Sequence, residues 1–204
     1  MSGSDRSDGS LGGAPLTALW SDLYREYGAA SVALLMKAAL LRRTFRPLLT
    51  LRLHAWTLRR RGPLRWLALP LRILHRLFCQ LACMDLPLGL RAGPGLVLVH
   101  GWGLVINGKA TIGKNVSLFN GVTLGRNDRW GDDLQRSSHY PTLEDEVWIG
   151  PHAVVVGGVT IGRGSRIAAG ALVTFDVPPR SMVVGNPGRI VKHDCRPDVF
   201  NAAP

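Results

Sequence analysis

His100 lies in Leu98-Val99-His100-Gly101-Trp102-Gly103, where glycines on both sides of Trp102 let another stretch of backbone come close. Asp85 precedes it by fifteen residues. A carboxylate that accepts a hydrogen bond from one imidazole nitrogen fixes the tautomer. It also supports the positive charge formed when the other nitrogen takes a proton. Such a pair is general-base chemistry in outline, although His100 read alone is also a candidate structural histidine. A second place for chemistry is residues 126–141, RNDRWGDDLQRSSHYP, a polar and aperiodic stretch that holds His139 and Tyr140. A third is the turn-rich, basic run 185–192, which carries Arg189 and Lys192. His139, His152 and His193 lack the closely spaced pair that a three-histidine zinc site needs, so no metal is expected. Cys79, Cys83 and Cys195 are an odd count without framework spacing and read as free buried thiols of a reducing compartment.

The elements that must position these groups show in a six-residue period. Aliphatic residues recur at Ile106, Ile112, Leu118 and Leu124, then at Leu143, Ile149, Val155, Ile161, Ile167 and Val173. Neither a helix of 3.6 residues per turn nor a strand alternating every two explains a strict six. A hexapeptide repeat that stacks short strands into a β-helix does. The aliphatic side chain points into a prism-shaped core, and the small residue after it lets the chain turn the corner. The expected organisation is a disordered tail over 1–14, a basic helical region over 15–84, the β-helix over 85–185 with an inserted loop at 126–141, and a C-terminal tail over 186–204. Within the helical region, Gly28, Pro47, Gly62-Pro63 and Pro70 are the expected breaks.

The formal net charge of +11 is unevenly placed: no acidic residue lies between Glu26 and Asp85, whereas eleven lysines and arginines do. The segment 64–82 reads as an amphipathic helix, with Arg65, Arg72 and Arg76 on one stripe and Leu67, Leu71, Leu74, Phe78 and Leu81 on another. Such a helix either lies on an anionic membrane surface or packs on a partner subunit. Nucleic acid is not expected, because the region lacks interleaved aromatics and any recognisable reading motif. Without a signal-peptide pattern or a membrane-length apolar run, the expected location is cytoplasmic, with a peripheral place at the inner membrane face as its extension.

The stretch Asp85-Leu86-Pro87, Gly93-Pro94-Gly95-Leu96, His100, Gly103-Leu104-Val105-Ile106 and Gly121-Val122-Thr123-Leu124-Gly125 resembles the serine acetyltransferase branch of the hexapeptide acyltransferases. A catalytic histidine and its orienting aspartate show the same separation there. The general layout is similar to exopolysaccharide (colanic-acid-type) acetyltransferases. The resemblance implies a left-handed parallel β-helix, a homotrimer, and acetyl-CoA bound in clefts between subunits. It makes His100 the base that deprotonates an acceptor hydroxyl, with Asp85 as its partner, for direct attack on the thioester. The run from Val147 to Thr174, followed by Gly185-Asn186-Pro187-Gly188-Arg189-Ile190-Val191-Lys192, is similar to the C-terminal signature of galactoside-type acetyltransferases. That similarity assigns Ala169, Thr174, Arg189 and Lys192 to acetyl-CoA, and Gly125, Trp148 and Gly150 are expected to line the same site. Ala169 would meet the pantetheine arm and Thr174 the CoA, and the two cations would take the phosphates.

The departures concern the acceptor. Val99 stands where serine acetyltransferases place an aspartate before the catalytic histidine, and His139-Tyr140 stands where they hold an Arg-His pair. A buried valine cannot pair with an ammonium group. The expected acceptor is therefore a sugar or glycan hydroxyl of an exopolysaccharide or capsule unit, with Val99, His139 and Tyr140 as acceptor contacts. The alternatives are serine O-acetylation and a non-catalytic β-helix scaffold.

Overall fold

The computed structural model describes residues 15–130 and 135–204: a layer of helices packed against the first turns of a three-sided coil of short parallel strands. The tail expected at 1–14 lies outside the described residues. The layer contains α1 (Pro15–Tyr27), α2 (Val32–Leu41), α3 (Phe45–Leu58), a 3-10 turn (Pro63–Leu67) and α4 (Ala68–Leu81). Ser31 caps α2 by accepting the Leu34 N–H at 3.3 Å. Pro47 and Pro70 do not break helices. Each sits at the third position of one, where a missing N–H costs no intrahelical bond.

The strands visit three faces in rotation. The first face holds β1 (Arg91–Ala92), β4 (Thr111–Ile112), β9 (Thr142–Leu143) and β12 (Thr160–Ile161). The second holds β2 (Val97–Val99), β5 (Ser117–Phe119), β10 (Trp148–Ile149), β13 (Arg166–Ile167), β15 (Met182–Val184) and β16 (Arg189–Lys192). The third holds β3 (Val105–Ile106), β6 (Thr123–Gly125), β11 (Val154–Val156) and β14 (Leu172–Val173). All these pairs are parallel except β15–β16. Partners such as Trp148 and Arg166, or Val154 and Leu172, lie three hexads apart.

The ten aliphatic residues of the six-residue period are each at most 1% exposed and form one continuous core. Burying each one fully contributes about 1.5–3 kcal/mol. Gly or Ala follows five of the ten, and where the next coil passes close its small size is a packing requirement. At Gly162, a Cβ would meet the Pro179 nitrogen of the next coil at 2.4 Å. Within the expected loop 126–141 two strands pair antiparallel, β7 (Asn127–Trp130) with β8 (Arg136–His139), as a hairpin. Its alternation is polar on both sides, so no apolar pattern revealed it. Ser138 and Arg136 both donate to Asp128 and hold that carboxyl below the usual aspartate range.

Polar contacts lock the helical layer to the coil. Arg52 of α3 donates to both carboxylate oxygens of Asp22 on α1, at 2.8 and 3.2 Å, and to the carbonyls of Ala92 and Gly93 at 2.6 Å. Asp22 also accepts the Leu96 N–H at 2.8 Å. On α4 the buried residues are His75 and Cys79, while Leu67, Leu74 and Leu81 are exposed, so the apolar stripe expected to face inward lies partly outside. Cys83 is exposed, which corrects the expectation that all three thiols are buried. Among the described residues, no helix is long and apolar enough to cross a membrane.

His75 lies 2.6 Å from the Leu86 carbonyl and 2.8 Å from the Thr50 hydroxyl. Burial holds its pKa below the ordinary histidine value. The unfolded chain therefore binds the extra proton first as pH falls through about 6.5. Stability should be full above that pH and decline below it toward the lower native pKa. Thermal unfolding measured between neutral and mildly acidic pH should show this loss, and His75→Gln should reduce it.

Candidate active site

His100 occupies the corner between β2 and β3 with φ of 62°, in the left-handed region. That backbone costs a non-glycine residue about 1–3 kcal/mol, and such residues cluster at functional sites. The corner is clamped from several sides. Gly103 donates its N–H to the Cys83 carbonyl at 2.8 Å. Gly101 passes so close under the helices that a Cβ would stand 2.6 Å from the Met84 and Thr44 side chains. Arg43, from the α2–α3 link, donates to the His100 carbonyl at 2.6 Å, and its guanidinium carbon lies 3.3 Å from the Trp102 ring centroid.

Asp85 donates its N–H to Leu104 at 2.8 Å and accepts from Ile106 at 3.0 Å. It therefore bridges to Val105, with its side chain exposed on the third face. The fold brings Asp85 and His100 to adjoining stretches of chain, but no hydrogen bond joins their side chains in the single chain. Asp85 borders a cavity of about 470 Å³ with Arg72 and Arg76. His100 borders one of about 390 Å³ with Val99, Glu26, Arg42 and Arg43. Glu26 and Arg42 form an ion pair in its wall. Sequence reasoning missed Glu26 as a site residue and registered Arg42 and Arg43 only as bulk charge. Nothing local marks them, because α1 and the α2–α3 link reach His100 only through the fold.

Of the residues assigned to acetyl-CoA, Gly150 and Ala169 share an edge with His100, and the others lie on the two faces beside it. Hydrogen bonds from Gly121 to Trp102, from His152 to Asn120 and from Gly170 to Pro151 run along the edge between the second and third faces. This ridge carries His100 at one end and Ala169 at the other, three coil steps or about 14 Å apart, with Gly150 one step nearer to His100. Gly125 and Thr174 lie across the third face, at the C-terminal ends of β6 and β14, on the edge from which residues 126–141 leave the coil. Trp148 lies on the second face, its ring 4.8 Å from that of Phe119 and 5.0 Å from the Arg166 guanidinium carbon. Arg189 and Lys192 are exposed on β16, beyond that face's last parallel strand. At Gly150 a Cβ would meet the Trp148 ring at 2.7 Å and the Ala169 nitrogen at 2.8 Å. Gly150→Ala should therefore lower stability by about 1–3 kcal/mol, read as a fall in the thermal unfolding midpoint.

His139 and Tyr140 stand elsewhere. The hairpin leaves the coil between the third and first faces, and His139 packs over Gly158, where a Cβ would approach it to 3.0 Å. Tyr140 lies beneath Lys109, whose ammonium is 5.1 Å from the ring centroid. Partial desolvation raises the Tyr140 phenol, but hydrogen bonds with Ser138 and Lys109 outweigh it and leave its pKa below the ordinary value. In one chain the third face separates this pair from His100.

Comparison with known proteins places the arrangement. Residues 140–174 match the family described as bacterial transferase hexapeptide (six repeats). The serine acetyltransferase of Bacillus licheniformis is 44% identical over 103 residues, covering 50% of this chain and 45% of that one. This chain thus spans about half the length of the curated relatives it matches. The soybean serine acetyltransferase apoenzyme is 30% identical, with a TM-score of 0.66 over 87% of this chain and 69% of that one. A serine acetyltransferase of Brucella abortus, solved with coenzyme A, is 27% identical, with a TM-score of 0.67 over 90% of this chain and 68% of that one. None of these names supports the expected sugar or glycan acceptor, and they favour the serine alternative. That expectation rested on the missing aspartate at Val99; the cavity beside Val99 and His100 has a carboxylate in its wall all the same, Glu26 of α1. The coil, its corner histidine and these likenesses agree: the chain belongs to the hexapeptide-repeat transferase family, with serine acetyltransferases among its homologues.

Proposed function

We propose that the protein is an acetyl-CoA-dependent O-acetyltransferase whose acceptor is the hydroxyl of serine. The observation that carries the acceptor is the cavity beside His100, whose wall presents a carboxylate, Glu26, and two guanidiniums, Arg42 and Arg43. A free amino acid carries both complementary charges and would exchange partners with the Glu26–Arg42 ion pair, its ammonium taking Glu26 and its carboxylate the freed guanidinium. Its side-chain hydroxyl would then lie near His100.

His100 takes the hydroxyl proton, and the alkoxide oxygen attacks the thioester carbonyl directly. The tetrahedral intermediate collapses with loss of the CoA thiolate, which recovers a proton from the imidazolium. Asp85 orients His100 once a side-chain rotation brings the two together. Gly150, Ala169, Gly125 and Thr174 line the path of the pantetheine arm, Trp148 supports that edge, and Arg189 and Lys192 take phosphates. The coil winds left-handed, as in the serine acetyltransferases that resemble it. The separation of His139 and Tyr140 from His100 supports a homotrimer, in which one subunit's hairpin completes the site of the next.

CoA-thiol release from acetyl-CoA by the purified chain tests the proposal, with L-serine compared with mono- and oligosaccharides. Serine-dependent release that disappears in Glu26→Gln is expected. Release with sugars alone would overturn the acceptor, and a lack of release with every acceptor would favour a non-catalytic scaffold.

A further inference from the structure

The outward side of α4 and of the 3-10 turn before it is an apolar face edged with arginine. Leu69, Ile73 and Leu77 recur every four residues and are 64%, 67% and 47% exposed, and Trp66 is 81% exposed. Arg65, Arg72 and Arg76 are exposed beside them. A cavity of about 610 Å³ opens there, lined by Leu58, Trp66 and Leu69 together with Arg65 and Arg72. It offers an apolar wall with two guanidiniums at one place.

What covers this face is decided by charge. No carboxylate lies in the chain between Glu26 and Asp85, so α2, α3, the 3-10 turn and α4 carry none, and Asp85, which shares a cavity with Arg72 and Arg76, offsets only part of the charge of the three arginines. In a two-fold contact between copies the same arginine-edged patch would meet itself, setting positive charge against positive charge. A layer with apolar depth and an anionic surface satisfies both halves of the face at once. Leucine and isoleucine enter the acyl boundary, tryptophan sits at headgroup level, and the arginine stems extend so that the guanidiniums reach phosphate.

We propose that this face docks on a membrane surface containing anionic phospholipid, with Leu69, Ile73 and Leu77 in the acyl boundary and Arg65, Arg72 and Arg76 on the headgroup phosphates. This docking is independent of the acceptor. It places the helical layer against lipid and leaves the far end of the coil in solution.

Sedimentation of the full chain with phosphatidylcholine vesicles, with and without phosphatidylglycerol, tests it. Binding is expected only where phosphatidylglycerol is present, and it should weaken as salt rises. Each arginine near the surface is worth roughly fivefold in partitioning. The double variant Arg65→Glu, Arg72→Glu should therefore bind the mixed vesicles about 25-fold more weakly or worse. The double variant Trp66→Ser, Ile73→Ser should also lose binding, with its thermal unfolding retained as a check on folding. Equal binding to both vesicle types, no binding, or unchanged binding by the charge-reversed variant would overturn the proposal. So would a larger assembly in solution that the Trp66→Ser, Ile73→Ser variant dissociates, because a second copy would then own the face. Should a variant misfold, the comparison of the two vesicle types with the unaltered chain still decides.

Discussion

Replacing His100 should lower the rate of acetyl transfer by about 10²–10⁴-fold, the range in which a positioned general base acts. The loss should fall on kcat and kcat/KM alike, because proton removal from the acceptor is an interaction made only in the transition state. Two variants separate chemistry from folding. His100→Ala removes the imidazole but leaves alanine in a left-handed backbone, with φ of 62°. His100→Asn keeps a residue type that tolerates that conformation better but cannot accept the proton. Both should lose activity to a similar extent, and the asparagine variant should unfold closer to the unaltered protein. Activity retained in His100→Asn would remove His100 from the chemistry. Asp85→Asn should give a smaller loss, since Asp85 acts through the orientation of His100. Steady-state release of CoA thiol measures all three.

The second large effect is on stability and lies far from the reacting atoms. The Asp22 carboxylate is fully buried, and the Arg52 side chain is only 8% exposed. Burial pushes the Asp22 carboxyl up, and Arg52 with the Leu96 and Gly95 N–H groups pulls it back. Arg52→Ala leaves that carboxylate without its counter-ion and the carbonyls of Ala92 and Gly93 without a donor. Breaking one side of such a pair costs about 3–5 kcal/mol. For a chain of this size that lowers the thermal midpoint by roughly 6–20 °C. Removing both partners as Asp22→Leu with Arg52→Met should recover part of the loss, not all, because the backbone groups of Leu96, Ala92 and Gly93 stay unpaired. Additive losses in the double variant would show that the two side chains act independently.

The coil could be read from the chain because its constraint is strictly periodic. Ile106 through Val173 each fill the same niche in successive turns, so one rule accounts for ten buried positions. The Asp85–His100 spacing places both in the first turns of the coil, but it does not bring their side chains into contact in the single chain. Glu26 was not legible, because α1 meets the cavity only after the helical layer has folded back on β2. The outward leucines of α4 were misread for a related reason. A wheel with apolar residues over most of its circumference does not say which stripe turns inward, and here the polar anchors His75 and Cys79 decide it. The hairpin escaped because its cross-strand partners, such as Asp128 with Ser138, are held by polar groups that leave no hydrophobic pattern.

The hairpin also has a consequence for how the scaffold can change. Thr111 pairs with Thr142, and Thr123 with Val154, as if the residues inserted between them were absent. The coil thus works as a rack, in which each slot closes above and below regardless of what hangs from its rim. Closing a longer insertion costs only about 0.6 kcal/mol for each doubling of its length. Hairpins of different length and sequence can therefore be grafted at this rim without retuning the shelves beneath. What the rim displays is free to diverge while the histidine corner, on a different edge, stays as it is.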